Sequence, residues 1–290
     1  MAFDTRFLRT LEALNVMARR VLAGEDRAER RTPRKGASIE FSDYRRYTPG
    51  DEIRYIDWNV YARHGSLFVK EFSAEENVHV SIFLDTSRSM EFGGKFEAAR
   101  ELAAALGYIG LVNYDSVSLY TFGTAVRSLL RFLRGKGRVF DLLRELEGLA
   151  PDGRTDMNAA FRTTIPRLKG RAVVILISDF YDLAGYPEGI RALQAQQMQV
   201  HLIHLVSQNE MAPPVRGRLN LLDLETGQQR DVTLAPGTVG AYRRRFGRFC
   251  EELEEFSRAR ELSYARVLAD DPLDRRVVEV LRAGGILEHR

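Results

Sequence analysis

The chain has 290 residues, 44% of them hydrophobic, a formal net charge of +3 and a pI near 9.0. That is length and apolar content enough for one large domain, or one domain with an appendage. The charge is too nearly balanced to argue for nucleic acid, and no apolar stretch reaches the roughly 20 residues of a membrane span.

In chain order, Phe7, Leu8, Leu11, Leu14, Met17, Ala18 and Val21 recur at helical spacing, which predicts one amphipathic helix over Phe3–Leu22. Gly24–Gly36 carries Arg27, Arg30, Arg31, Arg34 and Lys35 and reads as a solvated basic linker, with a docking patch as the sharper alternative. Ala37–Phe72 has short aromatic-rich runs and a Pro49-Gly50 turn, which predicts a small β-rich appendage. Two readings of its charges stand side by side. Arg45, Arg46, Arg54 and Arg63 could pair with Asp51, Asp57 and Glu71 around Trp58 as an anchor. Alternatively, Arg45, Arg54 and Arg63 could dock an acidic partner or a nucleotide phosphate.

From Val78 onward strands and helices alternate. Strands are expected at Val78–Leu84, Ser116–Phe122, Val126–Phe132 (antiparallel, at an edge), Ala172–Ser178, Val200–Val206 and Tyr264–Leu268. Helices are expected at Lys95–Asn113, Val139–Leu149, Met157–Leu168, Pro187–Gln197, Val239–Glu261 and Leu273–Ala283, with a hairpin over Leu219–Leu234 around Glu225-Thr226-Gly227. Near-continuous apolar strands between helices imply an α/β, doubly wound, mostly parallel sheet covered on both faces. The expected division is 1–36 for helix and linker, 37–76 for the β-rich segment and 77–290 for the sheet domain. Cys250, the only cysteine, sits in a helical pattern as an inert thiol, and its solitude fits a reducing compartment. The opening Met1-Ala2-Phe3-Asp4-Thr5-Arg6 lacks a signal-peptide layout, so a cytoplasmic protein is expected.

Ligands of such sheets bind beyond the carboxyl ends of the strands, where the strand order reverses. Three pieces of the chain can meet there: Asp85-x-Ser87-x-Ser89 after the first main strand, Gly153-Arg154-Thr155-Asp156 before a helix, and Ser178-Asp179 after an apolar strand. Carboxylates and hydroxyls without sulfur or imidazole suit Mg²⁺, Mn²⁺ or Ca²⁺. The plain alternative is that these serines and acids are helix caps and turn residues. Asp156 and Asp182 could support the ligands from behind, but the expected reading of each is a helix N-terminal acid or a loop charge. His201 and His204 are three apart on a strand, face opposite ways and cannot share a metal. Arg134-Gly135-Lys136-Gly137-Arg138 lacks the Walker layout and reads as a basic turn.

The run D-T-S-R-S, G-R-T-D, I-S-D, in this order and on these elements, resembles the metal-ion-dependent adhesion site of von Willebrand factor A domains. The resemblance implies that Ser87, Ser89 and Thr155 ligate the ion directly. Asp85 and Asp179 would support it through bound water, and an acidic residue of a protein partner would complete the shell. Upstream, Glu40-Phe41, Arg45-x-Tyr47-x-Pro49-Gly50-Asp51, Arg54-x-Ile56-Asp57-Trp58 and Ala62-Arg63 are similar to the signature of the bacterial domain-of-unknown-function family 58. That resemblance implies a non-enzymatic adaptor or co-chaperone of a MoxR-type AAA+ ATPase; no nucleic acid and no membrane span are expected, from the charge and the apolar runs noted above. Two other functions compete: a metal-dependent phosphohydrolase at the same strand ends, and nucleic-acid binding through Arg27–Lys35.

Overall fold

The computed structural model describes residues 3–22, 40–49, 51, 53, 56–73, 78–164, 172–182, 184–213, 217–233 and 237–284. Two units emerge, residues 1–27 with 78–289 and residues 28–77. The chain runs through helix α1 (Thr5–Leu22), strand β1 (Glu40–Arg46), helix α2 (Trp58–His64) and strand β2 (Phe68–Ser73). It continues with β3 (His79–Asp85), α3 (Lys95–Val112), β4 (Ser116–Phe122), β5 (Val126–Leu133), α4 (Val139–Glu147), α5 (Met157–Thr164) and β6 (Val173–Ser178). Then come α6 (Pro187–Ala195), β7 (Gln199–Val206), α7 (Gln208–Met211), β8 (Arg218–Leu222), β9 (Gln229–Thr233), α8 (Thr238–Arg258), β10 (Ser263–Leu268) and α9 (Leu273–Gly284).

In the smaller unit β1 and β2 pair antiparallel. Between them stands a helix that the aromatic runs did not announce. The Asp57 carboxylate accepts from the Asn59 and Val60 N–H groups and caps it, and Gly65 ends it in the left-handed conformation. The Arg45 guanidinium grips Asp51 with two bonds of 2.9 Å, and the Thr48 N–H and hydroxyl bond the same carboxylate. Trp58 is not the buried anchor expected of it. The cap sets it at the first helical position, 58% exposed against Tyr61, while Ile56 and Val69 are buried. Arg54 lies outside the described residues.

The larger unit is built on a six-stranded sheet of order β10-β7-β6-β3-β4-β5, parallel except for β5, which runs antiparallel along the β4 edge. Side chains alternate across it. Val80, Ile82 and Leu84 of β3 join a core with α1, α3, α4 and α9, whereas Phe83 joins the opposite core with α5, α6 and α8. Burial on both faces is why these strands read as unbroken apolar runs. α3 is buried nearly all round, and Gly107 admits it to the core, since a Cβ there would lie 2.5 Å from Leu142 Cδ2. α1 packs against α3 and α9 through Leu11, Leu14 and Ala18. The helix expected over 157–168 runs to Thr164, and 165–171 lie outside the described residues.

Candidate metal centre

β3 and β6 are neighbours in parallel register, with Leu84 opposite Ile177, so both strands deliver their next residues to one edge of the sheet. Asp85 ends β3 and is 1% exposed. Its Oδ1 accepts from the Ser87 N–H at 2.8 Å and the Thr155 hydroxyl at 3.3 Å, and its Oδ2 accepts from the Ser178 hydroxyl at 2.6 Å. The Ser87 and Ser89 hydroxyls lie 3.0 Å apart. Backbone bonds from Arg88 N–H to Gly153 O and from Asp152 N–H to Thr86 O join the first loop to the second. All three stretches singled out in the sequence therefore converge.

Asp179 is held differently. Its Oδ2 lies 2.6 Å from Lys95 Nζ, and its Oδ1 accepts from the Tyr181 N–H. Lys95 is fully buried and also reaches Glu210 Oε1 at 2.5 Å, with the Tyr181 ring 4.8 Å away. Glu210 is fixed in turn by a capping box with Ser207 at the start of α7. Phe180, between Asp179 and Tyr181, has φ +57, a conformation costly for a bulky residue and one that clusters at functional sites. Burial is the largest influence on Lys95 and opposes its charge, but Asp179 and Glu210 more than reverse it and raise its pKa. Burial first, and the Asp179 charge second, push the Asp85 carboxyl up to about 7.

Three carboxylates and one ammonium leave this cluster two negative charges in excess when all are ionised. A divalent cation would balance that excess, and the donors offered by Asp85, Ser87, Ser89, Thr155 and Asp179 are oxygens only, so they fit a hard ion. Lys95 and Glu210 were not legible as partners of the site. Only the Ser207–Glu210 capping-box spacing gave a local signal, and it said nothing of where Glu210 points. Asp156 and Asp182 turn out to be helix-start acids, accepting from the Ala159 and Met157 N–H groups at 2.8 and 2.7 Å. His204 is buried and pairs with the Tyr264 hydroxyl at 2.8 Å. Among the described residues, no group of three or more His, Cys, Asp or Glu side chains is placed to hold a metal. The candidate centre, with its three hydroxyls, is of another kind.

The family model described as "Protein of unknown function DUF58" matches residues 43–254. The chain belongs to the DUF58 family. This DUF58 protein is 24% identical over 240 residues to uncharacterised proteins of Mycobacterium tuberculosis and Mycobacterium bovis, covering 80% of this chain and 75% of each relative. Among solved structures it is similar to BatB from Bacteroides thetaiotaomicron, at 17% identity and a TM-score of 0.43, over 71% of this chain and 97% of that one. A von Willebrand factor type A protein from Catenulispora acidiphila gives 18% identity and a TM-score of 0.42, over 74% of this chain and 44% of that one. A mussel byssus protein, proximal thread matrix protein 1 with a zinc-occupied MIDAS motif, gives 16% and 0.38, over 44% and 38%. No described helix is long and apolar enough to cross a membrane.

Proposed function

We propose that this DUF58 protein is a non-catalytic, metal-dependent protein-binding module. Ser87, Ser89 and Thr155 would hold Mg²⁺, Mn²⁺ or Ca²⁺ directly, with Asp85 and Asp179 as supporting carboxylates. The ion would then capture an acidic residue of a partner. The observation that carries this reading is the convergence of the turn after β3, the loop carrying Thr155 and the end of β6 on the buried Asp85 carboxylate. The donor spacing supports it. Neighbouring ligands at about 2.1 Å from an octahedral ion stand about 3.0 Å apart, with longer spacings for Ca²⁺. The Ser87 and Ser89 hydroxyls, hydrogen-bonded at 3.0 Å, already stand at a spacing that two neighbouring ligands of such an ion can take.

A binding role is favoured over hydrolysis because the carboxylates are engaged. Both oxygens of Asp85 accept hydrogen bonds, and Asp179 is tied to Lys95 and the Tyr181 N–H, so both carboxylates are engaged in holding the surrounding loops. In keeping with the resemblance of the upstream segment, the partner we propose is a MoxR-type AAA+ ATPase, with the protein as its adaptor in the cytoplasm.

Titration calorimetry tests the centre. Mg²⁺ and Mn²⁺ are expected to bind the metal-stripped protein saturably, and to lose that binding in the Ser87→Ala/Ser89→Ala variant. Equal heats in the two proteins would sink the reading, and steady turnover of a phosphoester lost in Asp85→Ala would move the protein into the enzymes.

A further inference from the structure

Hairpins commonly bury their strands and expose their tips. The β8–β9 hairpin does the reverse. Most of its strand residues are exposed, whereas Leu224, Glu225 and Thr226 at the tip are half-buried. The tip is stiff. Asp223 Oδ1 accepts from the Glu225 and Thr226 N–H groups at 2.9 and 2.8 Å, and the Gly227 N–H closes the turn on Asp223 O at 2.8 Å. It is also seated on the loop that carries Thr155, because Arg154 Nε donates to the Glu225 carbonyl at 3.3 Å.

The Glu225 carboxyl lies beside that loop, where the Thr155 backbone N–H and the Asp179 charge both act on it. Glu225 Oε1 is shut off from solvent and has no hydrogen-bond partner among the described residues. A buried carboxylate oxygen without a donor is costly unless a cation meets it.

We infer that Glu225 is a further ligand of the centre, supplied by the chain itself, so that the hairpin tip holds the place a partner's acidic residue would take. This rests on the metal reading proposed above. A divalent ion would satisfy the orphan oxygen and offset the Asp179 charge together. The partner's carboxylate must then displace Glu225, which makes the hairpin a strap over the site.

The test uses the full chain, Mn²⁺ and water-proton relaxation, with Glu225→Gln beside the wild type and melting curves to establish that both are folded. Glu225→Gln is expected to bind Mn²⁺ on the order of tenfold more weakly, as loss of one anionic ligand implies. It should also carry more exchangeable water on the ion, and millimolar acetate should displace that water in the variant but not in the wild type. Equal Mn²⁺ affinity and equal water in the two proteins overturns the role of Glu225 and leaves the centre standing. Mn²⁺ bound no better by wild type than by Ser87→Ala/Ser89→Ala, or not bound at all, overturns the centre and this inference with it.

Discussion

Lys95 is a buried ammonium between two carboxylates, and its removal would leave both Asp179 and Glu210 without their cation. Breaking a buried pair from one side costs about 3–5 kcal/mol. Lys95→Met is therefore expected to lower the unfolding free energy by that order in denaturant titrations, and Lys95→Met with Glu210→Gln to recover part of it. His204 sets a second expectation. Burial is the largest influence on it and lowers its pKa from 6.5 to about 3. Arg266 and Lys95 also lower it, and Asp179 opposes them. Between those two values the unfolded chain binds the extra proton, so acid favours unfolding. The contribution of a neutral His204 is intact above pH 6.5 and shrinks as pH falls toward 3, by up to about 1.4 kcal/mol per unit. Unfolding curves between pH 7.5 and 4 should show this extra acid sensitivity in the wild type but not in His204→Gln. Equal slopes would remove His204 from the account.

At the scale of elements, the turn after Asp85 and the start of α7 are fitted to each other. Residues Arg88–Gly94 form a 3-10 segment broken at Phe92 and Gly93, and Gly93 has φ +64. A Cβ on Gly93 would lie 2.3 Å from Ser207 Cβ, on the residue that caps Glu210. Gly93→Ala combines that clash with a strained backbone and is expected to cost about 1–3 kcal/mol. It should also weaken Mn²⁺ binding by disturbing the chain from Ser207 through Glu210 and Lys95 to Asp179. Calorimetry showing wild-type affinity in a destabilised Gly93→Ala would separate packing from the site. The elements themselves were largely readable. Ser116–Phe122 appears as a strand with those bounds, and the antiparallel edge strand at Val126 follows it, because a strand's apolar run and its turn residues are local properties. α2 was missed because its main signal, Asp57 capping two N–H groups, lies inside a stretch whose aromatic content suggests strands.

At the scale of the molecule, the mostly parallel sheet followed from the alternation of strands and helices, whereas the side-by-side placement of β3 and β6 is seen only in the folded chain. It was the resemblance of D-T-S-R-S, G-R-T-D and I-S-D to a known adhesion site that made Asp85, Ser87, Ser89, Thr155 and Asp179 nameable from sequence as a set. What was not legible is what reaches the same edge from far along the chain: Lys95 at the start of α3, Glu210 beyond β7 and Glu225 on the hairpin. Each is an ordinary charged residue in its local context, and only tertiary packing gives it a partner. The same dependence on distant packing governs α1, whose Leu11, Leu14 and Ala18 are buried against helices far along the chain. On a ribosome adding about 5–20 residues per second, α1 emerges well before α3 and on the order of ten seconds or more before α9. Until α3 emerges its apolar stripe has no surface to fold onto, and until α9 emerges it has only part of one. The nascent chain must therefore carry an exposed, sticky amphipathic helix through much of its own synthesis, and its yield in a cell depends on what shields that stripe until α9 arrives.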